Sequence, residues 1–330
     1  MGHHRPRRLV DRRYTVCILQ EVTKLSKQPT LSIVVTIVDG GRYLRDFLHA
    51  VMAMKDAPPL EIIVPYDASI PDTKLLAAEF PHVKFLDMGV LVPTRPITSQ
   101  GGQHELYDRR RAFGLGQATG EIVAMLEDRG HPSPDWASTL MRLHADLPNN
   151  VIGGAIECRQ PANLLHWAFY VTDFGRYGRP FKIGSVSWVS DVNVSYKRKA
   201  LDDSRHLWAE RFYEMIVHRY LMGRGEELYL SDRLVVNHAR PPVTLRGLLR
   251  ERLEWGILFG YVRTKQTNAM ERLGLIFGSP LIAPVLVVRH GLIQAQKGRG
   301  LRYLSALPYV VMMTMTWTVG EVWGYITRRP

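Results

Sequence analysis

The chain has 330 residues, of which 46% are hydrophobic and 22% charged, a globular balance that excludes disordered and collagen-like chains. Two cysteines, Cys17 and Cys158, with no Cys-x-x-Cys pair, exclude a disulfide framework and a cysteine zinc site and fit a reducing cytoplasmic compartment. The formal net charge of +12 is compatible with nucleic acid, a membrane surface or an anionic substrate, so its distribution must decide. Residues 1–30 hold seven Lys and Arg against two acids, residues 31–160 twelve against sixteen, and residues 241–330 twelve against four. A basic excess confined to the ends, around an acidic first half of the core, favours an anionic membrane face over nucleic acid. The first 30 residues read as a basic tail without the apolar run of a signal peptide, so no export is expected.

Residues 31–38 are a continuous apolar, β-branched run ended by Asp39-Gly40-Gly41, the pattern of a buried strand and a turn. Leu44, Phe47, Leu48, Val51 and Met52 then repeat at helical spacing, and Pro58-Pro59 stops the pattern. The same reading gives strands over 60–64, 83–86, 121–126 and 151–156, separated by helices over 72–80, 105–117 and 134–147. Strands alternating with helices of this length predict an α/β fold, a mostly parallel sheet with helices on both faces. Ligands in such sheets sit beyond the carboxyl ends of the strands, and those ends carry Asp39, Asp67 and Glu127-Asp128. Farther on, residues 187–196 read as a strand, 209–222 as a helix, 234–237 as a short strand before His238, and 243–265 as a basic amphipathic helix. Two uncharged runs follow, 273–288 and 303–320, near the ~17-residue lower limit for spanning a bilayer and interrupted by prolines 280, 284 and 308. The loop between them carries Arg289, Lys297, Arg299 and Arg302, against the positive-inside tendency for an external loop. Helices that dip into the cytoplasmic leaflet fit this pattern; the alternative is a helical pair buried against the soluble domain.

Several residues have the chemistry of a site. Asp67 at a strand end can accept hydrogen bonds from a nucleobase or ribose, or can simply cap the turn with Ser69. Glu127 and Asp128 offer hard oxygen ligands for magnesium or manganese, while Arg129 and His131 beside them supply charge of the opposite sign. The run Asp108-Arg109-Arg110-Arg111 either grips phosphate or forms a solvated helix face. Glu210 and Glu214, one helical turn apart, would share a face and could serve as a general base, and His238 ends a strand where it could ligate metal or phosphate.

In this order the residues resemble the family 2 glycosyltransferases, inverting enzymes with the GT-A nucleotide-binding fold, over roughly residues 31–265. "LSIVVTIVDGGRYLRDFL" resembles the opening strand and helix, and "LEIIVPYDAS" the nucleotide-binding strand end, with Asp67 at the second acid of Asp-Asp-Gly-Ser and Tyr66 at the first. In "RRRAFGLGQATGEIVAMLEDRGHPSPDW", Arg111 matches the family arginine and Glu127 the first acid of Asp-x-Asp, but Arg129 stands where the last acid belongs. "SDVNVSYKRKAL" looks like the acceptor-side strand, and "YEMIVHRYLMGRGEELYLSDRLVVNH" like the helix of the base and the strand ending in histidine. The resemblance implies a donor site of Thr36, Asp39, Asp67, Arg111, Glu127, Asp128 and Arg129, with Glu214 as catalytic base. It leaves two candidates for balancing a leaving diphosphate: a divalent metal (Mg2+ or Mn2+) held by Asp128, His131 and His238, or Arg129 itself.

Residues 251–255 keep only Trp255 of the Gln-x-x-Arg-Trp motif of processive members, so polymer synthesis is not implied. The implied partners are a nucleotide-diphosphate sugar, a glycan or lipid-linked acceptor and an anionic membrane surface. The implied organisation is a tail at 1–30, a catalytic domain at 31–240 with its nucleotide-sugar half at 31–160 and acceptor half at 161–240, and membrane-associating helices at 241–330. A catalytically inactive nucleotide-sugar binding protein and a sugar nucleotidyltransferase are the rival readings.

Overall fold

The computed structural model describes residues 30–158 and 163–329; the basic tail and Cys17 lie outside the described residues. Strand β1 (Leu31–Thr36) is buried at all six positions, as its unbroken apolar run requires of a central parallel strand. Around it, β2 (Leu60–Tyr66), β3 (Lys84–Asp87), β4 (Ile122–Glu127), β5 (Gly130–Pro132), β6 (Val151–Cys158), β7 (Gly184–Val186), β8 (Asn193–Lys197) and β9 (Leu228–His238) complete a nine-stranded sheet. The order is β3-β2-β1-β4-β8-β6-β9-β5, with β7 also on β9. The pairings leave β5, β7 and β8 running against the other six strands.

The helices, in chain order, are α1 (Gly41–Met52), α2 (Thr73–Glu79), α3 (Gln100–Gln117), α4 (Trp136–Asp146), α5 (Leu164–Phe174), α6 (Arg198–Asp203), α7 (Arg205–Trp208) and α8 (Glu214–Gly223). One face of the sheet packs a core of Ile33, Val35, Phe47, Leu48, Trp136 and Leu140, the other a core of Val34, Met125, Tyr196, Phe212 and Val217. The chain leaves β1 toward β2 on one side, and β4 returns on the other. The carboxyl ends of β1 and β4 therefore flank the switch-point crevice where such sheets bind ligands, with Thr36 paired in register to Glu127.

The expected α/β alternation over 31–156 forms within a few residues, apart from α3, which begins five residues early where Ser99 Oγ accepts the Gly102 N–H at 3.1 Å. Three later expectations are corrected. The strand expected over 187–196 is only β8, because a turn closed by Asn193 N–H to Ser190 O at 3.1 Å precedes it. The helix expected over 209–222 begins at Glu214, because Phe212 N–H donates to Asp108 O at 3.1 Å and ties the preceding segment to α3. Glu210 is therefore off the helix and shares no face with Glu214. The short strand expected over 234–237 is the end of the longer β9, whose register on β6 shifts between Gly154 and Ala155.

Beyond β9 the chain is helical: α9 (Leu245–Thr264), α10 (Ala269–Gly278), a single 3-10 turn (Ser279–Leu281), α11 (Ile282–Gln296) and α12 (Gly300–Thr327). Helices α9 and α12 cross almost backbone to backbone, since a Cβ at Gly256 would lie 2.2 Å from Trp317 O and one at Gly320 2.1 Å from Leu253 O. A Gly-x-x-x-Gly spacing on both helices, 256/260 and 320/324, makes that approach possible. Met313, Val310 and Ala306 of α12 also bury against Trp167 and Phe169 of α5, so the second uncharged run is half buried on the domain. The first run differs. Residues 269–296 are long and apolar enough to cross a membrane, and little of this stretch is covered by the protein itself.

Candidate active site

At the crevice, the buried carboxylate of Asp128 accepts the backbone N–H groups of Val38, Asp39 and Gly40 at 3.0, 3.1 and 2.6 Å. It folds the β1–α1 turn around itself, a turn that needs glycine because Gly40 and Gly41 have φ of 67° and 51°. Burial pushes the Asp128 pKa up to about 7, against the pull of the Gly40 and Val38 N–H groups. Next to it, Arg129 donates Nε and Nη2 to the two carboxylate oxygens of Asp39 at 2.6 and 2.8 Å.

Asp67 at the end of β2 is buried and accepts Arg110 Nε at 2.6 Å and its own turn's Ser69 N–H at 2.8 Å. Arg110 also donates to Ser69 Oγ at 2.8 Å and Ile37 O at 3.2 Å. The run 108–111 is thus no solvated face: Asp108, Arg110 and Arg111 are all buried.

Arg111 turns the other way and organises four carboxylates. Its Nε donates to Thr36 Oγ1 at 3.0 Å and its Nη2 to Glu127 at 3.1 Å, while Nη1 lies 2.7 Å from Asp191 and 3.6 Å from Asp108. Thr36 is consequently buried and engaged within the protein. The fourth carboxylate, Glu214, stands at the first position of α8, where the positive end of the helix dipole favours an acid. One guanidinium does not balance four acids, of which Asp108 is buried and the other three are half-buried. Burial together with the Asp191 charge pushes Glu214 up to about 7, and burial also raises Asp108 and Asp191. Glu127 moves the opposite way: burial opposes its ionisation, but His238 and Arg111 outweigh that and hold it below its ordinary value. His238 Nε2 stands 3.9 Å from Glu127, and burial lowers the imidazole pKa.

These groups face one cavity of ≈ 570 Å³, within the range of small-molecule sites. Asp108, Arg111, Glu127, Asp191 and Glu214 form one wall, and Arg129, His238 and Arg240 another. A third wall is apolar and comes from the C-terminal helices: Leu258, Phe259 and Val262 of α9, Ile282 and Leu286 of α11, and Trp317 of α12. Of the residues expected from sequence, Arg111, Glu127, Arg129, His238 and Glu214 meet here. Thr36, Asp39, Asp67 and Asp128 do not line this cavity. Asp191 and Arg240 escaped the sequence reading, which offered Asp108 and Arg110 only within the run 108–111; Asp191 had a visible signal as the acid opening the motif "SDVNVSY".

The three expected metal ligands are not brought together. Asp128 has both oxygens on backbone N–H groups. His131 pairs with Asn237 and Gly130 with His238, so the two histidines occupy adjacent positions and point to opposite faces of the sheet. Among the described residues no group of three His, Cys, Asp or Glu is arranged to hold a cation. The donor set therefore does not fit Mg2+ or Mn2+.

A model of glycosyl transferase family 2 matches residues 32–205. No curated protein matches the chain. Among solved structures, the mannosyltransferase PcManGT of Pyrobaculum calidifontis, in complex with GDP-Man and Mn2+, is 14% identical, with a TM-score of 0.54 over 90% of this chain and 88% of that one. S. aureus TarS residues 1–349, in complexes with UDP and with UDP-GlcNAc, is 12% identical, with TM-scores of 0.44 and 0.47 over 88% of this chain and 90% of that one. The likeness to PcManGT lies in the α/β fold.

Proposed function

The chain belongs to glycosyl transferase family 2 and is a glycosyltransferase, and from that premise we propose that it moves a sugar, with inversion, from a nucleotide-diphosphate sugar to a hydroxyl of a lipid-linked or cell-envelope glycan acceptor. The observation that carries this reading is Glu214. It is a half-buried acid with a pKa raised to about 7, facing the same cavity as the cationic wall of Arg129 and Arg240. A general base is most effective when its pKa lies near the working pH. As the acceptor oxygen bonds to the anomeric carbon, its proton passes to Glu214, and the bond from that carbon to the diphosphate breaks with its electron pair leaving on the phosphate oxygen. Attack opposite the departing group inverts the centre. Asp39, Asp67 and Glu127 with Arg111 border the strand ends where the nucleotide would lie, as in other open α/β sheets.

The acceptor class is supported by the apolar wall. Helix α11 turns Ile282 and Leu286 to the cavity and Val285, Val288 and Leu292 to solvent, continuing from the exposed Leu281 of the 3-10 turn, so one helix separates the site from an exposed apolar stripe. Such a stripe beside a C-terminal segment with twelve Lys and Arg against four acids suits the cytoplasmic face of an anionic membrane, with residues 241–330 lying on it. The test is transfer by the full chain and by Glu214→Gln, assayed on lipid-linked and on soluble acceptors. A loss of about 10²- to 10⁴-fold in kcat with donor affinity retained is expected. Full activity in the variant would refute the base, and transfer confined to soluble acceptors would refute the acceptor class.

A further inference from the structure

The residues at the third position of Asp-x-Asp and just beyond β9 point to a different way of holding the leaving group. We propose that Arg129 and Arg240 form a two-arginine cradle that takes the departing diphosphate in place of a divalent cation. This rests on the nucleotide-diphosphate donor proposed above.

The two arginines come from distant parts of the chain and meet through the backbone. Ala239 N–H donates to Arg129 O at 2.8 Å, and Gly130 pairs with His238 in the β5–β9 ladder, which sets Arg240 beside Arg129 at one corner of the cavity. Both side chains line it. Arg129 uses Nε and Nη2 on Asp39, which fixes its plane and leaves Nη1 for a ligand. Arg240 is the less satisfied of the two. Its Nη2 donates to Glu251, a carboxylate shared with Arg252, and its guanidinium lies over the Phe169 ring with the Cζ 3.8 Å from the centroid. Its Nε is buried with no hydrogen-bond partner. Burial lowers the Arg240 pKa, and the Arg129 charge adds to the shift. A buried guanidinium with an open donor beside a second cation calls for an anion, and planar N–H forks bind phosphate oxygens with both geometry and charge. Charge that develops on the diphosphate as the sugar leaves would meet donors already in place. Among the described residues the carboxylates at this corner are already engaged: Asp39 is held by Arg129, Asp128 by three backbone N–H groups and Glu127 by Arg111.

The experiment is calorimetric titration of the full chain with UDP, GDP, dTDP, ADP and CDP, and with the matching nucleosides, in excess EDTA and in Mn2+. One nucleoside diphosphate is expected to bind in EDTA within about threefold of its affinity in Mn2+, since charge-assisted donors already satisfy the phosphates. Arg129→Met and Arg240→Met should each weaken the diphosphate by about tenfold while leaving the parent nucleoside unchanged, and Arg240→Lys should recover part of the loss. A role limited to folding would weaken both ligands together. Binding that appears only with Mn2+, or variants that leave the diphosphate-to-nucleoside ratio unchanged, would overturn the cradle and spare the glycosyltransferase reading. If no diphosphate bound under either condition, the donor reading itself would fall and the cradle with it.

Discussion

Arg111 and Asp191 lie 2.7 Å apart across eighty residues of sequence, and after burial, which raises the Glu214 pKa most, the opposed charges of this pair bear on it most strongly. Removing the Asp191 charge acts on Glu214 twice, by deleting a repulsive neighbour and by releasing Arg111 to compensate it. Both effects ease ionisation of Glu214. A base must be deprotonated, so kcat/KM of the wild type should rise with pH through about 7, following the raised Glu214. In Asp191→Asn that acid limb should move to lower pH. A pH–rate profile displaced upward, or not at all, would remove Glu214 from the role.

Asp128 is a clamp on the β1–α1 turn, and its variants should report on stability. Asp128→Ala leaves three N–H groups without an acceptor at a fully buried position, which costs about 3 kcal/mol or more. Asp128→Asn keeps one acceptor oxygen and should cost less, about 1–2 kcal/mol. Urea denaturation of both variants checks the order. If Mn2+ stabilised the wild type but neither variant, Asp128 would be a metal ligand after all.

The sheet was legible because β1, β2 and β4 are buried on both faces and so appear as unbroken apolar runs. Arg111 was found through the family pattern, but Arg110 and Asp108 beside it were not. Helix α3 is buried around most of its circumference, so no polar face marks which of three consecutive arginines turns inward. The partners arrive from elsewhere: Asp67 for Arg110, Asp191 and Glu127 for Arg111. Glu210 misled for a local reason. The spacing of four is real, but the backbone bond from Phe212 to Asp108 delays the helix to Glu214. Arg240, isolated before Pro241-Pro242, carries no periodic signal, and only the β5–β9 pairing brings it to Arg129.

The α9–α12 crossing should be sensitive to a single side chain. A Cβ at Gly320 would stand 2.1 Å from Leu253 O and 3.0 Å from Ile257 N, both backbone atoms that cannot give way without separating the helices. Gly320→Val should cost at least ~2 kcal/mol through overpacking, measured as a fall in Tm in mild detergent. It should also lower activity, because α9 carries Leu258, Phe259 and Val262 into the cavity wall. Gly274→Ala is the control: nothing lies within 4 Å of the added methyl, and helix propensity predicts no loss or a gain of up to ~1 kcal/mol.

The outward stripe that runs from α10 through the 3-10 turn to α11 makes the membrane reading testable apart from catalysis. Met270, Leu273, Phe277, Leu281, Val285, Val288 and Leu292 recur every three or four residues and are all exposed, Phe277 at 79%. They face away from the cavity residues Ile282 and Leu286. Each large apolar side chain moved from water into lipid contributes about 1.5–3 kcal/mol, so three charged replacements should abolish insertion rather than weaken it slightly. Phe277→Glu combined with Leu281→Glu and Val285→Glu should reduce co-sedimentation with anionic vesicles by more than tenfold, taking ~1.4 kcal/mol as one factor of ten. Added salt should weaken wild-type binding only in part, because the apolar contact is not screened while the Lys and Arg attraction is. Transfer to a short soluble acceptor should survive the triple variant, since none of the three side chains lines the cavity. Vesicle binding equal to that of the wild type would place the membrane contact elsewhere on the chain.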